Sequence, residues 1–216
     1  MRLSELSRAV GVPPATVKWY LRVGLLPKGT PTAANQAHYD VRHVRRLRLV
    51  RALIEIGRLS VDASRRVCDA IDDADLPLHD VLGVVHRALA DAGAHPGATP
   101  EASAAVDTFL DRRGWQVRPD APARAELAAV LTALTGLRDS GAPPVDTADA
   151  VAHLLTPYAE AVQPLAAAEV AGVPTDLARD EVVEQVVAGT VLMERALGAL
   201  RRLAQEHHWA GRREPD

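Results

Sequence analysis

The amino-acid sequence predicts a mostly all-α protein in two parts: a compact helical front with one non-helical excursion, and a helical bundle behind it. Three observations lead there. Apolar residues recur at three- and four-residue steps along most of the chain, the spacing that gathers them on one helix face. A single stretch, "LLPKGTPTAANQAHYD", carries Pro27, Gly29, Pro31 and Asn35 and so forbids a long helix. The remainder is rich in Ala, the strongest helix former.

The elements follow in order. "LSELSRAV" sets Leu3, Leu6 and Val10 on one face, with Ser4 as the expected N-cap and Gly11 as the stop. Pro14 suits the first position of a second helix, where the missing N–H has no intrahelical partner anyway. That helix runs to Leu21 or Arg22 and ends near Gly24. Helix, short turn with Gly, helix is the spacing of a helix-turn-helix. The excursion after it is long for a compact domain and reads as a wing, a small hairpin with Tyr39 on its return strand. Asp40 caps a third helix over 41–56, with Val41, Val44, Leu47, Val50, Leu53 and Ile54 inward and Arg42, Arg45, Arg46 and Arg48 mostly elsewhere. Gly57 ends it. Ser60 caps a fourth helix with Ala63, Val67, Ala70 and Ile71 inward, and "DDADLP" closes the first domain.

Behind it, helices are expected over 76–92, 101–112, 123–138, 146–168 and 177–209, parted by Gly/Pro breaks such as "AGAHPGATP", "SGAPP" and "AGVP". Along the last, Val183, Val186, Thr190, Met193, Leu197, Leu200 and Ala204 alternate three- and four-residue steps, the seam of a core helix or of a dimer. The expected organisation is an N-terminal winged helix-turn-helix domain over 1–75 and a C-terminal helical bundle over 76–216.

Charge divides along the same line. The net charge is −3, yet residues 1–66 hold 13 Lys and Arg against four acids, leaving 12 bases and 24 acids in the rest. A basic front joined to an acidic back points to two jobs, the first of them nucleic-acid binding. No run of about 18 apolar residues is present and the N-terminus lacks an apolar signal segment, so a cytoplasmic protein without a membrane span is expected. A lone cysteine, Cys68, can form neither an internal disulfide nor a Cys-rich zinc or iron–sulfur site. No cofactor is implied. Nucleophile-elbow, phosphate-loop and H-E-x-x-H patterns are absent, and Glu181 and Glu184 lack the Glu-x-x-His partner of a bundle di-metal site. They read as a charged face at the start of the last helix.

The order of the front motifs carries a resemblance. "GVPPATVKWYLRVGLLP", a wing ending in Tyr39-Asp40, and then "VRHVRRLRLVRALIEIGRLSVDASRRV" resemble the MerR family of bacterial transcription regulators, over about residues 1–72. The family's helix-turn-helix reads "GV…TIRYYE…GLL", and a "GFS"-type join between its next two helices is matched here by "GRLS". The resemblance implies a homodimer on double-stranded promoter DNA, lying between the two polymerase elements and bending the duplex to realign them, so that RNA polymerase is engaged indirectly. No enzyme activity is implied.

Physical chemistry assigns the contacts. Trp19 and Tyr20 adjoin Lys18 and Arg22 on one short helix; one ring should pack inward and the other lie along a sugar–phosphate backbone. Thr16 and Lys18, near the helix N-terminus, are placed to reach base edges in the major groove. Arg22, Tyr39, Arg42 and Arg45 would hold phosphates. The resemblance implies an Arg two before the wing Tyr, where Ala37 stands; its phosphate contact is either lost or taken over by His38 or Gln36. Lys18 stands where the family usually has Arg, which removes the bidentate fork to guanine or phosphate. Pro13 offers no side-chain cap, and Leu21 replaces the family's glutamate.

For the back half, a small-molecule effector within the helical bundle is the expectation, with Trp115, His153, Tyr158 and Met193 as candidate lining. The alternatives are an excisionase-like architectural DNA-binding protein without a ligand and a helical-bundle enzyme.

Overall fold

A computed structural model describes residues 1–33, 36–91, 97–137 and 147–211. Asn35, His95, and most of the "AGAHPGATP" and "SGAPP" breaks lie outside the described residues. The chain forms two compact units, Met1–Val85 with Leu177–Asp216, and His86–Asp176.

The first unit begins with α1 (Leu3–Val10) and α2 (Pro14–Arg22). Ser4 is not the cap of α1. Arg2 holds that position, and its N–H donates to the Glu5 carboxylate at 2.7 Å, so the acid three residues on satisfies the start of the helix. Pro14 occupies the first position of α2 as the sequence predicts. The wing is an antiparallel pair, β1 (Thr30–Ala33) and β2 (Gln36–His38), in the register Thr30 to His38 and Pro31 to Ala37, with an irregularity before Ala33. Pro31 is tolerated because this two-stranded ribbon has free edges.

Next, α3 (Val41–Arg51) runs into a π-helical turn, Ala52–Ile56, and α4 spans Val61–Asp72. Asp40 caps α3, accepting from the N–H groups of Arg42 at 2.9 Å and His43 at 3.3 Å, and Ser60 caps α4 by accepting from Ala63 N–H at 3.1 Å. Leu6, Val17, Leu25, Leu47, Val50, Leu53 and Val67 are fully enclosed and form the core that the apolar periodicity anticipates. Two inward assignments on α3 change. Val41, at the helix start, is 63% exposed, and Ile54 is half-buried. Arg46, expected away from the inner face, is buried.

After α5 (Leu78–Asp91), the second unit packs α6 (Pro100–Arg113), α7 (Pro122–Gly136) and α8 (Ala148–Ala171) around Val106, Phe109, Leu110, Leu131 and Val151. The last helix, α9 (Arg179–Ala210), returns to the first unit and lies against α3, the π-turn and α4. The compact units therefore cut the chain differently from a division at residue 75. Val183, Val187 and Val191, one turn apart on a straight helix, provide the reason: all three are buried. The three-and-four seam that the sequence suggests holds only in part, with Met193, Leu197 and Leu200 exposed.

Candidate nucleic-acid interface

The front domain presents a groove of about 930 Å³ between α2 and the wing. Lys18, Leu21 and Arg22 form one wall; Gly29, Pro31, Gln36, Ala37 and Tyr39 form the other; Arg2, Leu3, Ser4 and Lys28 complete it. Among the described residues, four bases and no carboxylate line it, so the electrostatic potential inside is positive although the whole chain is acidic.

Local folding explains how each side chain arrives there. Tyr20 is the inward ring of the aromatic pair, only 4% exposed, which turns half-buried Trp19 and exposed Lys18 and Arg22 outward. The two rings stack obliquely, with centroids 5.2 Å apart and planes at 42°. Burial, aided by the Glu55 charge, raises the Tyr20 phenol pKa. Thr16 is half-buried one turn earlier. On the wing side, Tyr39 follows β2 rather than lying in it. Its N–H donates to the Met1 carbonyl at 2.8 Å, and its ring is edge-on to His43. At 5% exposure, Tyr39 forms the floor of the wing and offers little surface for a phosphate. His38 is exposed, with Nε2 2.7 Å from the Met1 nitrogen. Gly29 lets the two strands meet Tyr39, since a Cβ there would stand 2.7 Å from the His38 carbonyl oxygen and 2.9 Å from the Tyr39 ring.

The α3 arginines sit elsewhere. Arg42 and Arg45 line a second pocket of about 430 Å³ with Pro27, Arg46, Asp72, Arg179, Asp180 and Glu184. Arg42 is exposed, 3.9 Å from Asp180. Arg45 is already engaged: Nη2 donates to Asp180 at 2.9 Å, Nε to Glu184 at 3.2 Å, and Nη1 to Glu181. In the free chain, α9 carboxylates therefore occupy the fork that was expected to hold a phosphate. Glu181 and Glu184 are correspondingly more than a solvated face. Arg46 lies deeper, reaching Glu184 at 3.2 Å and both oxygens of Asp72. Burial opposes its charge, but its hydrogen bond to Asp72 and the surrounding negative charges outweigh that and hold its pKa above the ordinary guanidinium value.

Arg2 and Lys28 join the groove without lying in any motif of the sequence, although the charge count contains both.

The four effector candidates fall on two units, three in His86–Asp176 and Met193 in the first. Trp115 packs half-buried against the core of the second unit, His153 and Tyr158 of α8 are exposed, and Met193 is exposed on α9 in the first unit. Among the described residues, no helix is long and apolar enough to cross a membrane.

A family model for MerR helix-turn-helix regulatory proteins matches residues 1–71. No curated protein matches the chain. Among solved structures, a proposed transcriptional regulator from Streptomyces coelicolor A3(2) is 34% identical, with 100% of both chains covered and a TM-score of 0.67. With the motif order, the winged front domain and a full-length relative in agreement, the chain belongs to the MerR family of helix-turn-helix regulatory proteins.

Proposed function

We propose that the protein is a transcription regulator that binds double-stranded promoter DNA as a homodimer through its winged helix-turn-helix domain. The observation that carries this reading is the acid-free groove lined by Arg2, Lys18, Arg22 and Lys28 between the recognition helix and the wing. Lys18 and Thr16 face base edges; Arg22, His38 and the indole of Trp19 follow the backbone. Arg42 adds a phosphate contact from the start of α3. Tyr20 and Tyr39 act from beneath, holding the helix and the wing at their separation.

A dimer places two such grooves on two half-sites, and a bend between them costs a few kcal/mol that added contacts offset. RNA polymerase is then affected through the altered promoter rather than by direct contact. The surface that fits dimerisation is the distal half of α9. Met193, Leu197, Leu200 and Leu203 are 49%, 42%, 63% and 61% exposed, and every residue from Leu200 to Gly211 is exposed. A solitary helix of that length is marginal in water, so a second copy of α9 is the expected partner. The unit His86–Asp176 is the candidate seat for an effector.

Duplex titration against salt tests the DNA reading. Neutralising several phosphates demands a steep decline of log affinity with log salt; a flat response overturns it. Genomic site mapping separates a regulator, bound between promoter elements, from an excisionase-like architectural protein bound at recombination sites.

A further inference from the structure

Arg45 lies one turn beyond Arg42 on α3, where the DNA reading calls for phosphate contacts, yet its guanidinium is held by carboxylates of this same chain. Asp180, Glu181 and Glu184 stand within the first two turns of α9 and take its three nitrogens. Asp180 is also the acid next to Arg42. A row of anionic oxygens meeting a guanidinium fork is the arrangement a nucleic-acid backbone would supply.

The two adjacent arginines differ in how firmly they are held. Arg46 is 6% exposed and Glu184 12%, with Asp72 closing the other side; this pair is out of water and fixes α9 to α3. Arg45 is 24% exposed, Glu181 36% and Asp180 44%. Ion pairs in that half-wet range contribute little net free energy and exchange readily. The start of α9 is pinned independently, because Arg179 donates to the carbonyl oxygens of Asp73 at 3.2 Å and of Leu76. Asp180 and Glu181 are therefore not needed to keep the helix in place.

We propose that Asp180 and Glu181 form an autoinhibitory latch, an internal substitute for DNA phosphate that occupies Arg45 and shadows Arg42 until a duplex displaces it. The proposal rests on the reading of this domain as a DNA binder. It gives the acidic back of the sequence a direct action on the basic front. Chain order adds a covalent route for control, since the latch follows the unit His86–Asp176 by only a few residues.

The test uses the full chain carrying Asp180→Asn and Glu181→Gln, which removes both charges while Glu184 still holds Arg46. Affinity for duplex DNA should rise about five-fold at low salt, the scale of a part-exposed ion pair, and equally on random and selected sequences. The log–log salt slope should steepen by about one, for one added phosphate contact. Adding Arg45→Ala should abolish the gain. Asp180→Asn alone should give a smaller rise and decides the matter if the double variant does not fold. Wild-type protein that binds with a steep salt dependence, and variants that bind no tighter, would overturn the latch and leave the DNA reading standing. Absence of salt-dependent binding by every form would overturn both.

Discussion

Gly57 lies beneath Val191 so closely that a Cβ on it would stand 2.5 Å from Val191 Cγ1 and 2.7 Å from the Leu53 carbonyl oxygen. Arg195, one turn further along α9, donates to the Gly57 carbonyl at 2.5 Å. The join between α3 and α4 is therefore the seat of α9. Gly57→Ala should lower stability by about 1–3 kcal/mol through overpacking, read as a lower melting temperature. Val191→Ala in the same chain should recover part of the loss by vacating the space; an unshifted melt for Gly57→Ala would remove α9 from this seat.

The same join shows what the sequence made legible. Gly57 was expected as a helix stop, and it is one, but the left-handed backbone falls on Arg58, at φ 62°, while Gly57 has an ordinary φ of −66°. Its missing side chain serves packing, which only the return of α9 reveals. The elements from α1 to α4 were readable because turns, caps and apolar spacing are local signals, and Pro14, Asp40 and Ser60 each act within three residues. The Arg45 and Arg46 ion pairs with α9 span more than 130 residues, and no local pattern encodes such a separation. For the same reason the burial of Arg46 has no local signature. On α9 the buried residues follow steps of four from Val183 to Val191, whereas Met193, Leu197 and Leu200 of the expected seam are exposed.

Arg46 should be the most sensitive charged position in the front domain. Arg46→Ala leaves Glu184 with Arg45 alone and strips part-exposed Asp72 of its partner, so the lost hydrogen bonds and packing should cost about 1–3 kcal/mol. Chemical denaturation should show the midpoint fall with little change in slope. Arg48→Ala, on an exposed base of the same helix, should be close to neutral. Equal effects at the two positions would refute the anchoring role of Arg46.

Within the groove, Lys18 and Arg22 should fail differently. Lys18→Ala removes a group aimed at base edges, so it should weaken binding by about 1–3 kcal/mol on the preferred site and relax sequence choice there. Arg22→Ala should weaken all duplexes alike and lower the salt slope by about one. An unchanged preference for Lys18→Ala in a binding-site selection would reassign that residue to the backbone.

Cys68 should report opening of the first unit. Burial pushes its thiol up to about 11, so at pH 8 it is held as the unreactive thiol. Alkylation of the folded protein should be slow and accelerate with denaturant in step with unfolding. The sign of the pH effect follows. The thiol loses its proton more easily when unfolded, so stability declines as pH rises from the ordinary thiol range, about 8.5, toward the folded value. Cys68→Ala should lack that share of the alkaline decline.

Dimerisation through distal α9 makes the sharpest prediction, because heptad positions also fix direction. With Leu197 and Leu200 as seam residues, Glu194 and Arg201 occupy equivalent flanking positions seven residues apart. Antiparallel pairing of two copies sets each Glu194 beside the partner's Arg201. Parallel pairing would instead set them beside the uncharged flank formed by Gly189, Ala196 and Leu203. Leu197→Glu with Leu200→Glu should convert the dimer to a monomer in sedimentation. Both positions are exposed within one chain, so melting should fall only by what pairing supplies and should match that of the wild type diluted to monomer. Glu194→Arg should weaken the dimer by like-charge repulsion, and adding Arg201→Glu should restore it only if the helices run antiparallel. A dimer untouched by the paired leucine substitutions would move the interface off α9 altogether.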